Sequence, residues 1–205
     1  MEYLVPAGRH RIQTEVARSR FITTVDRASS VDDARSFIAA IRREMPDANH
    51  HVYAYRVGYG NSVIDGMSDD GEPTGTSGPP TLTVLKGYDI GDVVIVTTRY
   101  FGGTKLGTGG LVRAYSEAAH IALNSLSTQQ KIDKIIIGLE LSYSLYQIIK
   151  NLAQKHDGDI DDEVFAADVT MLITLPARNL PTFTEAVRDV SSGKVTPILM
   201  GQFSS

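Results

Sequence analysis

The residue types best suited to chemistry are concentrated in a glycine-rich segment that runs from Arg99 to Tyr115. Its five glycines and three cations are Gly102, Gly103, Gly107, Gly109, Gly110, Arg99, Lys105 and Arg113. Glycine tolerates positive φ angles and lets a ligand approach the backbone closely. Apolar residues recur at helical spacing directly after this segment, and we predict that Thr108 is the N-cap of that helix.

The start of such a helix offers free backbone amides at the positive end of the helix dipole. Together with the neighbouring cations, these amides predict a binding site for an anion, either a phosphate or a carboxylate. The alternative is that the glycines only allow close packing of helix on sheet and that the cations are solvated. The segment is not a P-loop, because Thr108 and Gly109 stand where Lys and Ser or Thr are required. Val112 replaces the third glycine of the dinucleotide fingerprint, so neither ATP nor NAD is predicted and no cofactor is expected.

A cluster of carboxylates precedes the glycine-rich segment: Asp65, Asp69, Asp70 and Glu72. Clustered carboxylates can bind Mg²⁺ or share protons, but this spacing is not that of an EF-hand loop. The adjacent His50 and His51 would point to opposite sides of a strand, so no metal site is predicted. We expect instead that Asp70 or Glu72 pairs with Arg99 or Arg113, which would hold the two segments around one pocket.

Several aromatic residues could stack on nucleobases beside the cations, as in proteins that bind single-stranded nucleic acid. They are Tyr53, Tyr55, Tyr100, Phe101 and Tyr115. The alternative is that they belong to the hydrophobic core. The chain has 205 residues and a formal net charge of −4, which excludes a broad basic surface for nucleic acid. Any contact with RNA is therefore expected to be a local patch.

Other features of the composition narrow the class of protein. The sequence contains no cysteine, which excludes disulfides, a thiol nucleophile and cysteine-ligated metals. No apolar run approaches the roughly 18 to 20 residues of a membrane helix, and the first six residues lack a signal-peptide pattern. We therefore expect a cytoplasmic protein without a membrane partner.

The elements that must position these residues can be read from hydrophobic periodicity. The run from Val93 to Thr98 predicts a strand buried on both faces, followed by the glycine-rich turn and a helix to about Ser125. Upstream, the pattern predicts strands over 10–17 and 20–26, and a helix that buries Ala34, Phe37, Ile38 and Ile41. This part also contains a strand that includes Val52, Ala54 and Arg56. A long loop over 67–80 follows, and a short helix runs from Pro79 to about Lys86.

The polar stretch 125–131 predicts a boundary between a domain over 1–128 and a smaller one over 132–205. In the second part, alternation over 135–141 predicts a strand, and Leu145, Ile148, Ile149 and Leu152 form a helical stripe. Strands over 158–166 and 168–175 follow, then a helix that buries Leu180, Phe183, Val187 and Val190, and a last strand from Val195 to Met200. This is the split βαβ order of ferredoxin-like domains.

Two long motifs resemble those of the IMPACT/YigZ family. The first comprises residues 99–103 (Arg-Tyr-Phe-Gly-Gly) and 106–115 (Leu-Gly-Thr-Gly-Gly-Leu-Val-Arg-Ala-Tyr). The second is Ser-Asp-Asp-Gly-Glu-Pro over 68–73, with Gly75, Thr76 and Pro79. Residues 19–22 (Ser-Arg-Phe-Ile) and the His50–His51 pair also fall where the family has comparable residues, so the resemblance covers essentially the whole chain.

The resemblance implies an α+β fold. The N-terminal domain would be like the second domain of ribosomal protein S5, and the C-terminal, ferredoxin-like domain like one at the C-terminus of elongation factor G. It also implies a link to translation or its regulation. Two functions stay open. The first is a non-catalytic binding protein whose partner is the ribosome, RNA or a translation-related protein. The second is an enzyme acting on a small phosphorylated or carboxylated substrate, in which Asp69, Asp70 or Glu72 would exchange protons while Lys105 and Arg113 hold the anion.

Overall fold

The computed structural model describes residues 2–204 of the chain. The backbone divides into two compact units, of which the first covers Tyr3–Gln130 and the second comprises Glu2 and the residues from Lys131 onward. Helices and strands occur in both units, so the predicted α+β class is confirmed. Within residues 2–204, no helix combines the length and the apolar character needed to cross a membrane.

The first unit is built on a five-stranded antiparallel sheet with three helices. Its elements are β1 (Tyr3–Pro6), β2 (His10–Val16), β3 (Ser19–Arg27), α1 (Val31–Glu44), β4 (His50–Tyr59), β5 (Ser62–Ser68), α2 (Gly78–Lys86), β6 (Val93–Tyr100), α3 (Gly107–Asn124) and β7 (Thr128–Lys131). The order of strands in the sheet is β2-β3-β6-β4-β5, and each neighbouring pair is antiparallel.

The central strand β6 is buried on both faces of the sheet, as its continuous apolar run predicts. Val94 and Val96 pack against α1 on one face, while Val93 and Ile95 belong to the core beneath α2 and α3 on the other. Because β6 ends at Tyr100 and α3 begins at Gly107, the glycine-rich segment lies at one end of this central strand.

Helix α1 follows the sequence prediction closely. Its buried residues are the predicted ones, Ala34, Phe37, Ile38 and Ile41. The side chain of Ser30 accepts a hydrogen bond of 3.0 Å from the amide of Asp33, which fixes the start of the helix. The helix ends before Pro46, as expected.

Three strands of this unit lie where no strand is predicted. Strand β5 covers residues 62–66, for which no element is predicted, and the first two residues of the predicted 67–80 loop; it pairs with β4 as a hairpin at the edge of the sheet. Strands β1 and β7 form a separate two-stranded sheet, and β7 lies in the polar stretch predicted as the domain boundary. The sequence of β7 is Thr-Gln-Gln-Lys, which carries no apolar alternation, so its strand character depends on a partner more than 100 residues away.

The second unit contains β8 (Asp133–Leu141), α4 (Tyr143–Lys155), β9 (Asp159–Phe165), β10 (Val169–Pro176), a 3₁₀ turn (Ala177–Asn179), α5 (Leu180–Val190) and β11 (Ile198–Ser204). The sheet order β11-β8-β10-β9, antiparallel throughout, is the predicted ferredoxin-like arrangement. One face of this sheet packs against α4 and α5 in a single apolar core.

Two details of the second unit differ from prediction. The last strand begins at Ile198 rather than Val195, because Pro197 has no N–H to donate to a neighbouring strand. Ile148 and Val190 are 45% and 37% exposed instead of buried. In α4 the buried positions are Ile149 and Ala153, so the helix is rotated relative to the predicted stripe.

Candidate functional site

The two motif segments meet at a buried ion pair. Arg99, at the end of β6, donates from Nη1 to Oε1 of Glu72 in the β5–α2 loop over 2.6 Å. Tyr115 of α3 donates to the same Oε1 over 2.7 Å. All three residues are buried, and we call them the Arg99–Glu72–Tyr115 cluster. The predicted pairing of a motif carboxylate with a motif arginine is therefore confirmed for Glu72 and Arg99.

Tyr115 acts in this cluster as a hydrogen-bond donor. Burial raises the pKa of its phenol far above the ordinary value, and the adjacent Glu72 carboxylate raises it further. The hydroxyl therefore stays protonated at any physiological pH. Its ring packs edge-on against Phe21 in the core, so this aromatic residue is not available to a nucleobase.

Asp69 organises the β5–α2 loop. Its Oδ1 accepts hydrogen bonds from the amides of Ser77 and Gly78 and from the Ser77 hydroxyl, at 3.0, 2.8 and 2.7 Å. Its Oδ2 accepts from the amide of Gly75 at 2.8 Å. Burial alone would raise the pKa of Asp69, but these four hydrogen bonds hold it below the ordinary value. The carboxylate thus closes the loop and caps the start of α2.

Asp70 directs its carboxylate to other elements than Asp69 does. Its backbone φ is +44°, a value that residues other than glycine rarely adopt. Its carboxylate pairs with Arg42 of α1 and accepts a 2.6 Å hydrogen bond from the amide of His51. Of the two predicted alternatives, the carboxylate that pairs with a motif arginine is therefore Glu72, whereas Asp70 pairs with Arg42. The positive φ at Asp70 explains why it does not reach Arg99. It turns the Asp70 carboxylate toward α1 and β4, while the carboxylate of the preceding Asp69 points to α2.

The two histidines face opposite sides of β4, as predicted. His50 donates from Nδ1 to the carbonyl of Asp70 at 2.9 Å, and its Nε2 lies 3.8 Å from Oε2 of Glu72. His51 is buried beside Thr98, and burial lowers the pKa of its imidazole. Among residues 2–204, no three His, Asp or Glu side chains are arranged to hold a metal ion.

The glycines of the segment serve different purposes. A Cβ on Gly102 would lie 2.0 Å from the backbone carbon of Arg18, so this glycine allows close contact with the β2–β3 turn. Gly103 and Gly107 have φ angles of +85° and +71°. At Gly109 an added Cβ would meet nothing within 4 Å, and the φ is not in the left-handed region. The fold therefore explains the first three glycines and leaves Gly109 without a structural reason.

Helix α3 begins earlier than predicted and without a side-chain cap. Its N-cap is Leu106, not Thr108, and within residues 2–204 no side-chain cap accepts a hydrogen bond from its first amides. Leu106 is partly buried against the core around Phe21 and Leu111, which fixes the start of the helix at this point. The predicted free amides are therefore present, but they begin two residues before the predicted position.

A cavity of 360 Å³ opens beside this helix start and the buried cluster. Its lining residues are Glu72, Pro73, Arg99, Phe101, Lys105, Leu106, Gly107, Thr108 and Leu111. Of the predicted anion-site residues, Arg99, Lys105, Gly107 and Thr108 line the cavity, whereas Gly102, Gly103, Gly109, Gly110 and Arg113 do not. Of the predicted acid–base carboxylates, only Glu72 lines it.

Arg113 is placed away from this cavity. Its side chain is exposed, and its Nε donates to the carbonyl of Gly109 on the same helix over 3.3 Å. Sequence reasoning missed the apolar wall formed by Pro73, Leu106 and Leu111. Phe101, which was predicted above as an aromatic residue that could stack on a nucleobase, does line the cavity.

The charges at the cavity favour an anion. Arg99 and Glu72 neutralise each other, while Lys105 is exposed and forms no ion pair with any residue in 2–204. Arg99 is only 5% exposed, and its Nε has no hydrogen-bond partner within the described part of the chain. An unpaired buried donor is costly, and the side chain that carries this one lines the cavity.

Comparison with known proteins gives two family matches. Residues 17–123 match the Impact N-terminal domain, and residues 139–194 match a domain of unknown function, DUF1949. The IMPACT family member YigZ of Escherichia coli is 38% identical over 194 residues, which cover 94% of this chain and 95% of that protein. An IMPACT family member of Haemophilus influenzae is 35% identical over 195 residues, with 95% of each chain covered.

More distant and structural matches agree with these. Protein IMPACT-B of Xenopus tropicalis is 36% identical over 67 residues, which are 32% of this chain and 20% of that protein. A crystal structure described as that of a hypothetical protein is similar over 98% of both chains, with a TM-score of 0.70 and 36% identity. The two motifs, the whole-length relatives and the fold lead to one conclusion: the chain belongs to the IMPACT family.

Proposed function

We propose that this protein is a non-catalytic binding protein of the cytoplasm that holds a phosphate group of RNA or the ribosome in the cavity beside α3, and so acts in translation or its regulation. The observation that carries the proposal is the start of α3, which has no side-chain cap among the described residues and opens next to Lys105 onto a cavity lined by the buried Arg99. Helix amides and a cation are the usual means of binding phosphate. The link to translation rests on the family resemblance.

The disposition of the carboxylates favours binding over catalysis. Asp69 and Asp70 do not line the cavity, and both carboxylates accept hydrogen bonds that hold the loop. Glu72 does line it, but its Oε1 already accepts from Arg99 and Tyr115. A general base needs a carboxylate that can reach and take a substrate proton. The alternative enzyme would therefore have to work through Oε2 of Glu72 alone.

The test is co-sedimentation of the purified protein with ribosomes and with bulk RNA at two salt concentrations. Lys105→Ala removes a cation that lines the cavity, and we expect about a tenfold loss of affinity. Arg113→Ala is the matched control, because it removes one positive charge from the same segment outside the cavity. We expect it to bind like the wild type at the higher salt concentration.

Two outcomes would overturn the proposal. Equal losses in the two variants would mean that general surface charge, not the cavity, attracts RNA. Absence of binding by the wild-type protein to ribosomes and to RNA would remove the translation part altogether.

A further inference from the structure

Building on the proposed function, we infer that the cavity holds a single nucleotide, with its phosphate at the start of α3 beside Lys105 and its base against the ring of Phe101. This names the ligand class of the site. The same chemistry is offered by a free mononucleotide and by the terminal nucleotide of an RNA chain.

Phe101 supplies the surface for the base. It lines the cavity and is 47% exposed, although a phenylalanine gains most by being buried. The guanidinium of Arg99 lies 5.7 Å from the centre of the Phe101 ring. The backbone amide of Phe101 donates a hydrogen bond to Oδ1 of Asn49 at 2.8 Å. The ring is thus held at the cavity, and stacking on a base is the use that exposed aromatics have in nucleotide-binding proteins.

The other four aromatic candidates have different roles. Tyr115 is fully buried, and the Tyr100 hydroxyl donates to Asp47. Tyr53 and Tyr55 stack on each other with ring centres 6.4 Å apart, next to the core beneath α1. None of these four lines the cavity that contains Lys105, which leaves one aromatic surface and hence room for one base.

The polar part of the cavity lining matches a single phosphate. The first amides of α3 and Lys105 provide several donors around one point, as a tetrahedral group with three terminal oxygens requires. Arg99, which is 95% removed from solvent, also lines the cavity, and its Nε has no hydrogen-bond partner among residues 2–204. Because the rest of its charge is neutralised by Glu72, the net excess is the one charge of Lys105, which suits a monophosphate better than a chain of phosphates.

The rest of the cavity lining is largely apolar. Pro73, Leu106 and Leu111 form its walls, and these offer no partner to a second charged group. The volume of 360 Å³ lies at the small end of the range of roughly 300–1,000 Å³ for small-molecule sites. A sugar with one base fits this combination of size and polarity.

The experiment is calorimetric titration of the full chain with 5′-AMP, 3′-AMP, adenosine, ribose 5-phosphate and inorganic phosphate. We expect one AMP isomer to bind at least tenfold more tightly than ribose 5-phosphate and than adenosine, since each lacks one of the two contacts. Phe101→Leu keeps an apolar side chain but removes the aromatic face. We expect it to weaken AMP about tenfold and to leave ribose 5-phosphate unchanged.

The controls separate this inference from the proposed function. Lys105→Ala should weaken the binding of AMP, ribose 5-phosphate and inorganic phosphate to the same extent. Arg113→Ala should change the affinity for none of these three ligands. If ribose 5-phosphate and inorganic phosphate bind in a Lys105-dependent way but AMP is no tighter, the nucleotide inference is overturned and the anion site stands. Failure of every anion to bind overturns both.

A last comparison identifies the source of the nucleotide. We titrate a short RNA with a terminal phosphate beside the same RNA without that phosphate. The phosphate is at the 5′ end if 5′-AMP is the tighter isomer and at the 3′ end if 3′-AMP is. Tighter binding of the phosphorylated RNA than of AMP assigns the site to an RNA end. Tighter binding of AMP assigns it to a free mononucleotide. If Phe101→Leu weakens phosphorylated RNA, AMP and inorganic phosphate equally, the ring does not stack and the inference fails.

Discussion

The two loops that meet at the cavity differ in how they use their polar groups. In the β5–α2 loop the carboxylates of Asp69, Asp70 and Glu72 all accept hydrogen bonds from other residues of the fold. In the β6–α3 loop the first amides of α3 have no side-chain cap, and Lys105 has no charged partner among the described residues. A loop whose polar groups are satisfied supports a site, whereas a loop with unused donors is where a ligand binds.

The largest effect is expected where the two loops are joined. Glu72→Gln removes the charge that neutralises buried Arg99, and we expect it to lower the free energy of unfolding by about 3 kcal/mol. Urea denaturation at pH 7 measures this. Combining Glu72→Gln with Arg99→Met removes the unpaired charge, and the double variant should recover at least half of the loss. A single variant as stable as the wild type would show that the pair does not hold the loops together.

A smaller loss of stability is expected at Asp69. Asp69→Ala removes the acceptor for four hydrogen bonds and the cap of α2, and we expect it to cost about 2 kcal/mol. Glu117→Ala, an exposed acid on α3, is the control and should change the free energy of unfolding by less than about 0.5 kcal/mol. Equal effects of the two substitutions would contradict a structural role for Asp69.

The same carboxylate should make stability depend on pH. Because folding lowers the pKa of Asp69, its contribution is fully present above the unfolded-state pKa of about 3.9 and is lost as pH falls through the lower folded-state pKa. The difference in unfolding free energy between the wild type and Asp69→Asn should therefore be constant from pH 7 to 5 and shrink toward pH 3. Parallel stability curves down to pH 3 would show that Asp69 titrates alike in both states.

The smallest effects concern two glycines of the glycine-rich segment, one in the β6–α3 loop and one in the first turn of α3, where the same added methyl should act in opposite directions. At both Gly103 and Gly109 a Cβ would meet nothing within 4 Å, but only Gly103 has a positive φ, of +85°. We expect Gly103→Ala to destabilise by about 1 kcal/mol, and Gly109→Ala to stabilise by up to about 1 kcal/mol through helix propensity.

The affinity for phosphate provides a further test of Gly109. If Gly109 is a glycine so that an anion can reach the start of α3, Gly109→Ala should lower the affinity for phosphate while raising the melting temperature. A variant that is more stable and binds phosphate as well as the wild type would leave Gly109 without a role in the site.

Much of the fold follows from local patterns. The buried positions of α1 and the double burial of β6 were predictable because hydrophobic periodicity directly reports which side of an element faces a core. Strands β1 and β7 were not, since the four residues of β7 are polar and become a strand only through a distant partner. Strand β5 lies at an exposed edge, where alternation is weak because neither face is fully buried.

The site was predictable in its chemistry but not in its geometry. Arg99 and Lys105 follow from their residue types, and the pairing of a carboxylate with Arg99 follows from the need to neutralise a buried charge. The choice of Glu72 over Asp70 depends on a positive φ at Asp70, which the sequence does not reveal. The placement of Arg113 outside the cavity depends on the start of α3 at Gly107, which tertiary packing of Leu106 decides.

The successive carboxylates of Asp69 and Asp70 have a consequence for the kinetics of recognition. One anchors the loop to α2 and the other anchors it to α1 and β4, so the loop that contributes Glu72 and Pro73 to the cavity is fixed before any ligand arrives. Little conformational entropy remains to be lost on binding except in the side chain of Lys105. Association should therefore be a single fast step without a slow rearrangement, and differences between ligands should lie in how quickly they leave.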